Sequence, residues 1–170
     1  MEVAEVSMIN LINSESSEDI LDTLKAQGLG ISRQIDAQPP TMPRDITELD
    51  DEDLIRLFQH LNEFTKFIKV QASCAQIDES EAKKRMDYLE ATLTTQHTAP
   101  KATVASIKAK VMSEESMQTV SQEYQFKHDY RKMIEMMVNN LESDMHLVSR
   151  ELTRRTSGGN FKTRGTKFTI

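Results

Sequence analysis

Residues 113–155 read SEESMQTVSQEYQFKHDYRKMIEMMVNNLESDMHLVSRELTRR, and the spacing of apolar side chains in this run decides the fold. Met117, Val120, Tyr124, Ile134, Val138, Leu141, Met145, Val148 and Leu152 recur mostly three or four residues apart, the period that puts side chains on one face of an α-helix. No Gly or Pro interrupts them. Ser113, followed by Glu114, Glu115 and Ser116, supplies a start signal. At 1.5 Å per residue such a helix extends about 60 Å. The rest of so small a chain cannot cover it, so the run predicts packing on another long helix, of this chain or of a neighbouring subunit, along a coiled-coil-like seam. Lys127 and Arg131 interrupt the seam and are expected to limit its register.

Upstream, Asp50 is placed to cap a helix whose first turn carries Asp51, Glu52 and Asp53, where the positive end of the helix dipole favours carboxylates. Leu54, Leu57, Phe58, Leu61, Phe64, Ile68, Ala72 and Ala75 form its apolar stripe. The pattern restarts near residues 77–80, and Ala82, Met86, Leu89 and Leu93 make a second stripe. The two segments predict a helical hairpin, with a continuous helix as the alternative because neither Gly nor Pro separates them. Pro100 ends this region, and Val104, Ile107 and Val111 mark a short helix.

The first 46 residues read as an acidic appendage: a weak helix over residues 3–12, a second capped by Ser17 and ended by Gly28, then an extended linker at Pro39, Pro40 and Pro43. At the other end, residues 156–159 (Thr-Ser-Gly-Gly) predict a helix break followed by a flexible basic tail. The expected architecture is all-α: a long helical hairpin and a long C-terminal helix over residues 47–155, oligomeric coiled-coil-like packing, and tail residues 156–170. Absence of Trp, 5% aromatic residues, 5 Gly and 4 Pro agree with helix over sheet.

Composition narrows the function. Cys74 is the single cysteine, so neither a disulfide-stapled secreted fold nor a Cys-based zinc site is expected. No run approaches the roughly 18 apolar residues of a membrane span, and a cytoplasmic protein is expected. His60, His97, His128 and His146 lie far apart, and the weak pair of His146 with Glu142 does not make a metal site. Asp50, Asp51, Glu52 and Asp53 lack the Gly and alternating ligand spacing of an EF-hand loop. Gly28-Leu29-Gly30 lacks the preceding strand and the Lys-Ser/Thr ending of a phosphate loop. Met133, Met136 and Met137 suit adaptable packing. No catalytic set, cofactor or metal is expected, and an enzyme is disfavoured.

The formal net charge is −6, but its distribution matters more. Residues 1–60 hold 13 acidic side chains against Lys25, Arg33, Arg44 and Arg56, whereas Arg150, Arg154, Arg155, Lys162, Arg164 and Lys167 face Glu151 alone in the last 21 residues. Two basic clusters stand out: Lys83, Lys84 and Arg85 beside Tyr88, and the C-terminal set with Phe161 and Phe168. Cations neutralise phosphates while aromatic faces stack on unpaired bases, a combination suited to single-stranded nucleic acid. The bland alternative is a solvated helix face and a basic end.

In the first cluster, Lys83, Arg85, Asp87 and Tyr88, with Met86 in place of Leu, match a Lys-x-Arg-Leu-Asp-Tyr stretch, and residues 47–155 here resemble the phage single-stranded-DNA-binding recombination mediators of the UvsY type. The Ser-Arg-Glu-Leu-Thr-Arg-Arg run at 149–155 also looks like a pattern in tailed-phage proteins. The resemblance implies a ring-like homo-oligomer in the host-cell cytoplasm that holds single-stranded DNA and helps load a recombinase while displacing a single-strand-binding protein. Lys83 and Arg85 would contact phosphate. DNA contact by Tyr88 and Lys84, and by the C-terminal basic residues, is a separate expectation from charge and aromatic content. The alternative is a phage packaging or virion-assembly protein, such as a small terminase subunit or a structural helical oligomer.

Overall fold

The computed structural model describes residues 16–29, 31, 38–98, 100 and 102–164, with 158–164 described by backbone alone. Among the described residues four helices follow one another: α1 (Ser17–Ala26), α2 (Asp51–His97), α3 (Val104–Ser113) and α4 (Glu115–Arg164), with a 3-10 turn at Ile46–Glu48 before α2. No strand occurs among the described residues. The all-α expectation holds, and the two long helices pack together.

Two details of the helix boundaries differ from the sequence reading. The hairpin expected around residues 77–80 does not form, because α2 runs unbroken through them. Nothing in Ile77-Asp78-Glu79-Ser80 removes a backbone donor or demands a left-handed conformation, and the antiparallel partner of α2 is α4. Likewise α4 does not break at residues 156–159 but continues to Arg164. Each Gly costs about 1 kcal/mol in a helix interior, yet extending an existing helix escapes the nucleation penalty. The Thr156 hydroxyl also donates to the Leu152 and Thr153 carbonyls at 3.0 and 3.1 Å. Residues 3–12 and Lys167 lie outside the described residues, as do the side chains of Lys162 and Arg164.

The chain divides into two compact units that do not follow chain order: residues 1–32 with 71–134, and residues 33–70 with 135–170. In the second, Leu54, Leu61 and Val148 are fully buried, with Leu57, Phe58, Leu141, Met145 and Leu152 packed around them. Met42, Ile46 and Leu49 join this core, so the stretch after the prolines contributes buried surface. The Thr65 hydroxyl donates to the Leu61 carbonyl at 2.7 Å and approaches the Met145 sulfur at 3.3 Å, which lets a buried Thr sit in an apolar layer. Asp50 caps α2 as expected, its carboxylate accepting from the Asp53 amide at 2.8 Å. Asp45 does the same for the 3-10 turn, and hydrogen bonds from the Thr47 hydroxyl and amide hold its carboxyl below the usual range.

In the first unit the cap of α1 lies one residue before the expected Ser17. Ser16 accepts from the Asp19 amide at 3.3 Å while the Asp19 carboxylate accepts from the Ser16 amide at 3.0 Å, a reciprocal capping box. Gly28, at φ +79°, ends the helix: its amide donates to Lys25 and that of Leu29 to Leu24, the paired bonds of a Schellman turn. Leu93, Val111 and Met117 form a buried cluster where α2, α3 and α4 meet, backed by Met86, Leu89 and Ile107. Here His97 and Glu114 lie 3.0 Å apart.

Candidate nucleic-acid interface

Residues 83–88 lie on α2 within the first unit, and burial of Glu81 and Ala82 fixes which way the helix is turned. Lys84 and Tyr88, four residues apart, consequently share an outward face, and Tyr88 is 49% exposed. Lys83 is exposed beside them. Neither lysine forms an ion pair with a described residue. Asp87 lies on the same side and moderates their charge.

Arg85 behaves differently. Its guanidinium lies 3.4 Å from Glu123 of α4 and 4.0 Å from the buried Glu81, so its charge is largely answered within the unit. Of the four residues that match the mediator-like stretch, Arg85 is therefore the one committed to the fold.

The C-terminal cluster belongs to the second unit. Arg150 is exposed. Arg154 forks onto Glu151 at 2.7 and 2.6 Å, while the rest of its side chain remains exposed. Arg155, expected to contact DNA, is instead a structural clamp. Its Nε donates to Glu151, one terminal nitrogen to the Leu49 carbonyl and Asp51, and the other to the Ile46 and Thr47 carbonyls. These five bonds use every N–H of a guanidinium, leaving none for phosphate. The clamp satisfies carbonyls at the end of the 3-10 turn and ties the start of α2 to α4. Hydrogen bonds from Arg154 and then Arg155 pull the Glu151 carboxyl down to about 2.

A second set of charges escaped the sequence reading. In the first unit, Glu79 receives His128 at 2.6 Å and also pairs with Arg131, while Lys127 lies 3.8 Å from Asp78. Burial alone would raise the Glu79 carboxyl, but the hydrogen bonds from His128 and Arg131, reinforced by their charges, hold it below the usual value. Lys127 and Arg131, which interrupt the apolar rhythm in sequence, thus face carboxylates on α2. The available signal was the Asp78-Glu79 pair, at the point where the α2 stripe restarts.

On the outer side of α4 in the same unit, Phe126, Tyr130 and Met133 are 66, 42 and 58% exposed. Phe126 and Tyr130 stack at 6.4 Å between ring centroids with planes 17° apart. In the second unit Met136, Met137 and Leu147 are also exposed. A hollow of about 250 Å³ lined by Met112, Met117, Gln118, Ser121 and Gln122 brings together no acid-base pair. Among the described residues no group of three His, Cys, Asp or Glu side chains could hold a metal ion, and no helix is long and apolar enough to cross a membrane.

Compared with protein-family models, curated proteins and solved structures, the chain has no match.

Proposed function

We propose that this chain is a non-catalytic, self-associating accessory protein that binds single-stranded DNA through Lys83, Lys84 and Tyr88. The observation that carries this reading is the pair of exposed lysines beside an exposed tyrosine on one stretch of α2, when the adjacent Arg85 is paired with Glu123 and Glu81. The lysines supply phosphate neutralisation and the ring a stacking surface that tolerates any base. Arg150 and the basic residues at the chain end add to the contact in this reading. Role assignment beyond binding, in loading a recombinase against a single-strand-binding protein, rests on the sequence resemblance.

Two lysines release few counterions, so one protomer binds weakly and useful affinity requires several copies on one strand. Self-association is thus part of the function proposed. The test is fluorescence anisotropy with labelled single- and double-stranded DNA over a salt series. Single-strand preference is expected, with affinity falling as salt rises. Lys83→Ala combined with Lys84→Ala should flatten the salt dependence by about 1.4 in the log-log slope per protomer engaged. Tyr88→Ala should weaken binding about tenfold without changing that slope. An unchanged slope in the double lysine variant would remove this face from the interface.

The internal pairing of Arg85, Arg154 and Arg155 favours a second reading, a phage packaging or virion-assembly component in which the same helices serve only to assemble. In that case the protein associates yet ignores both DNAs, and it copurifies stoichiometrically with particles.

A further inference from the structure

We infer that Phe126, Tyr130 and Met133 on α4 form the contact by which one copy of this chain binds a second, antiparallel copy. This rests on the self-association in the proposed function and names its surface. Large apolar side chains scattered singly on a surface need no explanation, but these three follow one another at four- and three-residue spacing, and two of them stack. They occupy a side of the helix different from the one committed to α2 through Lys127, His128 and Arg131. The internal helix pairing therefore leaves them uncovered.

Charge identifies the occupant. Asp129 and Lys132 are exposed beside the stripe, one of each sign, so the patch is locally neutral on a chain of net charge −6. Two copies can approach here without the repulsion that the rest of the chain imposes. A two-fold axis near Tyr130 lays Phe126 of one copy over Met133 of the partner copy, and brings Asp129 of each beside Lys132 of the other. The patch is thus complementary to itself only in the antiparallel sense, as an isologous contact requires. Asp129 already accepts the Gln125 amide at 3.1 Å on both oxygens, which holds the carboxylate in place without neutralising it. The stripe covers about two helical turns, less than the roughly 1,600 Å² of a standard interface, so each contact is weak and gains strength by repetition in an assembly.

The experiment is sedimentation equilibrium on the full chain, without DNA, for the wild type, Phe126→Asp, Asp129→Lys and the double variant Asp129→Lys with Lys132→Asp. The wild type is expected to associate. Phe126→Asp and Asp129→Lys should each weaken association at least tenfold at unchanged helix content by circular dichroism, and the double charge swap should restore it. In a Cys74→Ala background, Tyr130→Cys should crosslink to itself and Phe126→Cys to Met133→Cys, whereas Phe126→Cys should not crosslink to itself. A monomeric wild type, association indifferent to Phe126→Asp, or self-crosslinking of Phe126→Cys in place of the Met133→Cys pairing would overturn the inference. DNA contact by Lys83 and Lys84 is tested separately, by the salt slope of their variant. A monomeric wild type would remove both this surface and the multivalent part of the proposed function, whereas the Phe126→Asp and crosslinking outcomes bear on this surface alone.

Discussion

The two compact units use the same pair of long helices and hold it in different ways. In residues 33–70 with 135–170, α2 meets α4 through Leu54, Leu61 and Val148, all fully buried, with the Arg155 clamp at the end of the layer. In residues 71–134 the apolar cluster sits around Leu93, Val111 and Met117, and the stretch from Asp78 to Arg131 is bridged by charges. Apolar contact is strong and non-directional, so it stabilises pairing without fixing which turn meets which. An ionic layer contributes less net free energy, but one-turn slippage would leave half-buried charges unpaired. The difference assigns stability mainly to one region and register mainly to the other.

The largest effect should come from Leu61→Ala, which opens a cavity in the apolar layer and is expected to cost about 3 kcal/mol in urea unfolding. Arg155→Ala should come next in the same assay, because it leaves the Ile46, Thr47 and Leu49 carbonyls without this donor and Glu151 with Arg154 alone. Arg155→Lys should rescue little, since an ammonium cannot reproduce the planar fork. If Arg155→Ala proves neutral and Leu61→Ala does not, the clamp contributes nothing to that region.

Glu79→Ala removes the carboxylate that His128 and Arg131 share and should cost about 1–2 kcal/mol, whereas Glu79→Leu combined with Arg131→Leu should be close to neutral or stabilising while loosening register. Register is readable by disulfide trapping between cysteines introduced on α2 and α4. Equal trapping of several registers in the wild type would remove the distinction drawn between the regions.

Acid should act on both regions. The folded Glu151 carboxyl sits at about 2, and Glu79 and Glu142 are also lowered, Glu142 by a hydrogen bond and then the charge of Lys69. A carboxyl lowered on folding contributes its stability above its unfolded value and loses it as pH falls through the folded one. Thermal stability should therefore decline from about pH 5 towards pH 2, and Glu151→Gln should flatten that decline. The smallest effect is expected for Arg56→Ala, which removes an exposed pairing with Glu52 and Asp53 and should alter stability by less than about 0.5 kcal/mol.

The fold was legible where periodicity was continuous. The stripe from Met117 to Leu152, the Asp50 cap and the Gly28 stop all follow from local rules, and all appear. Residues 77–80 misled because a restart of the apolar stripe resembles a turn, when the charges there are paired across to α4. Residues 156–159 misled because two glycines look like a stop, although an established helix tolerates them. The candidate site was less legible. Lys83, Lys84 and Tyr88 are outward, but a basic residue in sequence does not disclose whether a carboxylate or a row of carbonyls already holds it, and Arg155 is held by both. Phe126 and Tyr130 also stand outside the rhythm that marks the buried stripe, so their shared exposed face emerges only once the helix is oriented by its partner.

The most direct test is single-strand affinity against salt concentration for the wild type, with molecular mass determined on the same sample. The expected result is an oligomer that prefers single-stranded to double-stranded DNA, with affinity falling steeply as salt rises. An oligomer with no measurable affinity for either DNA at low salt would contradict the proposed function.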